Sequence, residues 1–365
     1  MTIQHLTTET AVKELAWNIL DISATGNPGG NLFLFGAGAS YSCGIPLATE
    51  IAKDLETELR SRGRWKEPHA SQPDMNPYEW AMHQLTKYEQ INRIRGYIER
   101  ARAADSRWKL NHCYMVLAEI WKTYSNYSRT LLTTNFDPLF YYAMLELNIE
   151  PKIIRHVAEM DLMDPFDTAA FPAIIYLHGY WQNHFILNTV AEWESFRRDW
   201  VSRLPRDIKN HGLVVIGYSG FQHDIVMQTL LHIQRATLTQ LAGPVYWCHK
   251  GEISHETYAS LQGMSDVRLV SISSADSFML RLGQELELPA VKKIVAFARV
   301  LGSLPPGFVL EFQNHARIQI KDCGMATAAS DAGVSITIET HEKYGRPGEN
   351  YAGFDIYSTQ RLFDI

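Results

Sequence analysis

Six short runs of apolar, β-branched or aromatic residues recur along the chain, at Asn31–Phe35, Thr130–Thr133, Ala173–Leu177, Leu213–Ile216, Val245–Cys248 and Val267–Ile272, and each runs into a turn signal. Runs this short and this continuously apolar suit strands buried on both faces, and stretches of helical periodicity lie between several of them. The alternation predicts an α/β fold, a Rossmann-like doubly wound parallel sheet with helices on both sides. At 365 residues and 46% hydrophobic, the chain has material for a large core.

Two regions fall outside that alternation. The first strand and the one at Thr130 are too far apart for a single crossover helix. Residues 51–128 carry Leu, Trp, Ile and Met at helical spacings, which predicts a helical insertion that Pro68, Pro73 and Pro77 divide in two. After Pro289, a helical stretch over Val291–Leu301 reaches the Leu304-Pro305-Pro306-Gly307 break. Beyond it Phe308–Phe312, Arg317–Ile320 and Val334–Glu339 alternate as strands do, predicting a small β-rich module. The expected division is residues 1–290 and 291–365.

Charge and cysteine usage narrow the function classes. Lys and Arg total 34 against 40 Asp and Glu, a formal charge of −6, so no global field holds a polyanion. Basic residues do cluster at Arg60, Arg62, Arg64 and Lys66, and at Arg93, Arg95, Arg100, Arg102, Arg107 and Lys109. Glu67, Glu99 and Asp105 interrupt them, as on a solvated helix face, and direct nucleic-acid binding is disfavoured. The segment 303–365 has five basic residues against eight acidic ones and is no electrostatic clamp. Its aromatics, Tyr344, Tyr351, Phe354 and Tyr357 among them, suit core packing, or an interface with a second copy or another protein. No apolar run approaches the ~20 residues that span a bilayer, and the N-terminus lacks a signal-peptide pattern, so a cytoplasmic protein with no membrane partner is expected. The four cysteines, Cys43, Cys113, Cys248 and Cys323, form no C-x-x-C pair and suggest neither a zinc ribbon nor a disulfide framework.

Polar residues follow four of the strands. Phe33-Leu34-Phe35-Gly36-Ala37-Gly38-Ala39-Ser40 is a strand running into a small-residue turn; its glycines allow close backbone approach, and a helix start beyond it offers N–H groups to a phosphate. Tyr41 stands where the dinucleotide fingerprint wants a third glycine, which disfavours an ordinary Rossmann dehydrogenase. Leu131-Leu132-Thr133-Thr134-Asn135-Phe136-Asp137 ends in groups that can bond a ribose, an amide or a water, or can instead cap the helix beginning near Pro138. Leu177-His178-Gly179 offers an imidazole that can serve as a base near neutral pH. Gly217-Tyr218-Ser219-Gly220 closes a fourth strand, with Asp224 shortly after.

These four motifs, in this order, resemble the sirtuin (SIR2) superfamily over about residues 28–285, and more narrowly the SIR2-like NAD-consuming domains of bacterial antiphage defence systems. The resemblance implies that Gly36, Ala37, Gly38 and Ser40 line the NAD phosphates. It also implies that Asn135, beside Thr134, orients the nicotinamide ribose and an attacking water. Asp137 matches a position contacting the nicotinamide amide, His178 the catalytic histidine, and Gly217 and Ser219 a turn near the adenosine half; Asp224 is expected on the adenosine ribose. The chain departs from protein deacylases of the family. Gly44-Ile45-Pro46 is followed by Leu47-Ala48-Thr49 rather than Asp-Phe-Arg, Thr134 replaces a Gln, and the four-cysteine zinc module is missing.

The expected activity is therefore NAD glycohydrolysis to nicotinamide and ADP-ribose, with NAD as substrate and no metal. The resemblance further implies an antiviral, abortive-infection effector held inactive until a signal or partner arrives. It also implies a homo-oligomer, a second defence protein of ATPase or Argonaute type, or both. Two alternatives stay open: deacylation or ADP-ribosyl transfer, with an acceptor in place of water, and a nucleotide-binding assembly module without turnover.

Overall fold

A computed structural model of the chain describes residues 3–292 apart from 26–28, 68–75, 103–107, 163–165, 167–170, 184, 187–189, 221–223, 236–240 and 265, together with 309–311 and 317–319. The chain divides into two compact units, Met1–Leu282 and Gly283–Ile365.

In chain order the first unit begins with β1 (Gln4–Leu6), α1 (Thr8–Thr25) and β2 (Asn31–Phe35). Helices α2 (Ala48–Ser61), α3 (Pro77–His83), α4 (Lys87–Glu99) and α5 (His112–Thr123) then precede β3 (Thr130–Thr133) and α6 (Leu139–Glu146). There follow β4 (Lys152–Ile154), α7 (Val157–Leu162), β5 (Ala173–Tyr176), the small hairpin of β6 (Gly179–Tyr180) and β7 (Phe185–Ile186), and α8 (Val190–Ile208). The remainder is β8 (Gly212–Ile216), α9 (Ile225–Arg235), β9 (Val245–His249), α10 (His255–Leu261), β10 (Val267–Ser271) and, as far as Leu282, α11 (Ala275–Glu285).

Eight strands form one sheet in the order β1-β10-β9-β8-β2-β3-β5-β4, and every pair is parallel. This is the doubly wound α/β architecture. All six strands expected from the apolar runs are present. The two edge strands are additions: β1 and β4 have three residues each and are partly exposed, so they carry too little periodicity to be read. Every residue of β2 is buried. Leu32 and Leu34 face a core with Trp200, Leu204, Ile225 and Met227 of α8 and α9. Phe35 turns the other way and meets Tyr114 of α5 edge-on, with ring centroids 5.7 Å apart.

The stretch between β2 and β3 is helical, as its spacing predicts, and α2 and the α3–α5 group lie on either side of the proline-bearing segment. Its last helix, α5, buries Cys113, Tyr114, Val116, Leu117, Ile120 and Trp121, so it acts as the crossover helix of the sheet. The second unit contains an antiparallel pair, β11 (Val309–Glu311) with β12 (Arg317–Gln319). Helix is described at residues 289–292. The remainder of the expected helix, the strand at 334–339 and the C-terminal aromatics lie outside the described residues.

The amino end of β2 is held by a polar clamp. The fully buried Tyr127 hydroxyl accepts from the Asn31 backbone N–H at 2.9 Å and from Asn31 Nδ2 at 3.2 Å. Tyr127→Phe would leave a buried N–H without its acceptor, and is expected to lower unfolding free energy by about 1–3 kcal/mol in urea titrations. Ligand binding at the opposite end of the sheet should be unchanged.

Candidate functional site

The first connection from β2 leads to β3 on one side, whereas β8, β9 and β10 fill the other side. The strand order thus reverses at β2, and in open α/β sheets such a switch point opens a ligand crevice beyond the carboxyl ends of the strands. All four polar motifs lie there, after β2, β3, β5 and β8.

The glycines of two of these turns serve backbone contact. Gly36 N–H donates to Ile216 O at 3.0 Å, and Gly38 N–H to Gly217 O at 2.9 Å. A Cβ on Gly36 would lie 2.6 Å from Gly217 O, and one on Gly217, whose φ is +68°, 2.4 Å from Ala39 N. The turn after β2 then winds through two short 3-10 turns, Ala37–Ala39 and Tyr41–Cys43, and no α-helix starts before Ala48. The expected helix N-terminus is thus absent beside the glycines. Ala39 and Ser40 N–H groups are also spent within the turn, on Gly36 O and Ala37 O. Among the described residues the Ala37 N–H has no such acceptor.

Behind this turn lies a closed polar network. Asn135 Nδ2 donates to Gly36 O at 3.0 Å, Ser40 Oγ at 2.9 Å and Tyr114 OH at 3.2 Å. A carbonyl acceptor fixes Nδ2 as the end of the amide that points inward and leaves Oδ1 outside these three bonds. Ser40 gives its one proton to Asp137 Oδ2 at 2.7 Å, and the Tyr114 hydroxyl, 2.6 Å away, is therefore the donor to Ser40 Oγ. Burial pushes the Tyr114 hydroxyl well above its ordinary range, with the Asp137 charge adding to the rise, and it stays a neutral donor. Asp137 Oδ1 accepts the Leu139 N–H at 3.0 Å, the helix-capping role its position allows. Burial pushes its carboxyl up to about 6, against the opposing hydrogen bonds from Ser40 and Leu139.

On the neighbouring strand, the ring of His178 lies 6.4 Å from that of Phe136, and Tyr176 donates to Asp137 O at 3.1 Å. Asn135 and His178 thus share one end of the sheet, each 8% exposed. His178 Nε2 pairs with Asp224 Oδ1 at 2.9 Å, and the same oxygen caps α9 through the Val226 N–H at 3.1 Å. The buried Asp224 carboxylate therefore orients an imidazole as well as a helix. Ala37, Gly38, Thr134 and Gly217 are partly exposed along the crevice, and Ser219 is exposed. Ser40 and Asp137 are buried in the network, with their polar side-chain atoms turned to protein partners.

Two contributors were not legible. Tyr114 sits in the apolar run of α5 and reads as core. Asn111, which caps α5 through the Tyr114 N–H, also donates from Nδ2 to Ala39 O at 2.6 Å and Ser42 Oγ at 2.9 Å, clamping the helix to the glycine turn. The basic clusters, by contrast, are mixed-charge surface. Arg60 pairs with Glu56 and Glu67, Arg62 and Arg93 with Glu58, Arg64 with Glu89, and Arg102 with Glu99. Arg107 lies outside the described residues. Among the described residues no helix is long and apolar enough to cross a membrane.

Fold and site together define an α/β protein with a crevice at its topological switch point. Residues 129–265 match the model of the SIR2-like domain family. The match holds β3, β5 and β8 with their motifs, while β2, which carries the glycine turn, lies before it in sequence and between β3 and β8 in the sheet. Among solved structures, a Sir2 homolog–NAD complex is 15% identical, with a TM-score of 0.40 over 81% of this chain and 97% of that one. A mutant Sir2 homologue in complex with ADP-ribose is also 15% identical, with a TM-score of 0.38 over 76% and 97%. No curated protein matches in sequence.

Two predictions follow from this geometry. Gly217→Ala should destabilise the fold by roughly 2–4 kcal/mol, read as a lowered denaturation midpoint, because the new methyl meets backbone at a positive φ. The Asp137 carboxyl, raised from 3.8 to about 6 on folding, binds protons more tightly folded than unfolded. Its contribution to stability is full below pH 4 and is lost as pH rises to about 6, on the order of 3 kcal/mol. Asp137→Asn should flatten unfolding free energy against pH across that window.

Proposed function

We propose that this site cleaves the glycosidic bond between nicotinamide and ribose in NAD, with water as acceptor, giving nicotinamide and ADP-ribose. The observation that carries the reading is the anchoring of Asn135. Its Nδ2 is held by Gly36, Ser40 and Tyr114, which leaves Oδ1 as a fixed acceptor at the strand ends, one strand from the His178–Asp224 pair.

Nicotinamide leaves NAD as a neutral molecule, so the C1′–N bond can break with its electron pair going to the ring, and positive charge then builds on the ribose. Asn135 Oδ1 orients the attacking water and a ribose hydroxyl, lowering the entropic part of the barrier. His178 accepts the proton released as the C1′–O bond forms, and the imidazolium is stabilised by Asp224. Gly36, Ala37, Gly38 and Gly217 allow the diphosphate close approach to backbone, with the Ala37 N–H as a donor. Thr134 and Ser219 follow β3 and β8 at the same end of the sheet. Asp137 and Ser40 serve as the rigid base on which Asn135 is set.

A role as an antiphage effector, released by a signal or by a partner such as an ATPase or Argonaute-type protein, follows from the family resemblance and is part of this proposal. So is a homo-oligomeric state.

Purified protein incubated with NAD should release nicotinamide and ADP-ribose, quantified by chromatography, under the condition that activates it. Asn135→Ala and His178→Ala are each expected to lower kcat by about 10²–10⁴-fold. Full activity in the double variant would reject the reading. If ADP-ribose appears instead on a peptide or nucleic acid, the acceptor is not water.

A further inference from the structure

The inserted helices bring a carboxylate to this site that the mechanism above does not use. Glu79, in the first turn of α3, closes a capping box: its Oε2 accepts the Asn76 N–H at 3.0 Å, and its own N–H donates to Asn76 Oδ1 at 2.9 Å. A capping box needs one acceptor oxygen, and Gln supplies it as well as Glu. Nothing in that role requires burial. Yet Glu79 is 0% exposed, and its second oxygen, Oε1, is buried with no hydrogen-bond partner among the described residues. Such an atom is costly to bury and calls for a reason.

Its surroundings supply one. Burial raises the Glu79 carboxyl to about 7, the charge of Asp224 adds to the rise, and His178 opposes it. Glu79 therefore lies within the electrostatic reach of both members of the pair. The helices around it are seated against the same region. Gln90 of α4 donates to Met82 O at the end of α3 at 2.8 Å, and Arg95 of α4 lies 5.8 Å above the Trp181 ring, three residues beyond His178.

We propose that Glu79 is a positioning residue of the site: a carboxylate carried by the insertion that acts on the His178–Asp224 pair and stabilises the imidazolium formed when His178 takes a proton. The inserted helices then complete the base and do more than cover it. The role in turnover rests on the NAD-cleavage reading, whereas the coupling of Glu79 to His178 does not.

Glu79→Gln separates cap from charge, because the amide oxygen still accepts the Asn76 N–H. The measurements are kcat and KM for NAD, the melting temperature, and the ring-nitrogen resonances of His178 in ¹⁵N-histidine-labelled protein at fixed pH, assigned by their loss in His178→Ala. The expected result is a protein melting no lower than the parent, kcat lowered about tenfold or more, KM within about twofold, and a displaced His178 resonance. Unchanged kcat with an unmoved resonance overturns the proposal. A raised KM with an unmoved resonance also overturns it, since Glu79 would then touch the ligand and not act through His178. If the parent cleaves no NAD, that reading fails by itself, and the resonance alone decides whether Glu79 is coupled to the pair.

Discussion

The carboxamide of Asn135 is the joint on which the strand ends depend. One nitrogen reaches the turn after β2, the serine that closes that turn, and a tyrosine from the crossover helix, so two segments distant in sequence are fixed relative to β3. Because two N–H bonds are shared among three inward acceptors, the amide has no reason to rotate, and the free carbonyl is held in place. A group already oriented before ligand arrives loses little entropy on binding, and this is what a site that aligns a water against a sugar requires.

Close backbone contact makes that joint possible. Gly36 and Gly38 lie against Gly217 with no room for a side chain, which draws the turn after β2 onto the turn after β8. The glycines thus serve the meeting of two chain segments at least as directly as the approach of a phosphate. Most of the turn's amides satisfy their own carbonyls, and the anion-binding capacity expected of a helix N-terminus shrinks to what the partly exposed turn offers.

The six central strands were legible because a strand buried on both faces is apolar throughout, and the four polar motifs because each interrupts such a run at its end. What escaped notice depended on tertiary placement. Edge strands β1 and β4 are short and half wet. Tyr114 is indistinguishable from core until its hydroxyl is seen on Ser40, and nothing in the sequence marks Glu79 until its second oxygen is found buried. Asp224 stood out, but its environment differs from a ribose contact in the open crevice: its carboxylate is on His178 and the start of α9. For Tyr114 and Asp224 local chemistry was readable and the partner was not, because Ser40 and His178 lie 74 and 46 residues away.

A crystal structure with ADP-ribose bound is the deciding measurement. The nucleotide should lie along the carboxyl ends of β2, β3 and β8, with a hydroxyl of its terminal ribose on Asn135 Oδ1, the ribose beside His178, and the three Nδ2 bonds intact. A ligand seated elsewhere, or an Asn135 amide that has turned its nitrogen outward and abandoned Gly36, Ser40 and Tyr114, would contradict it.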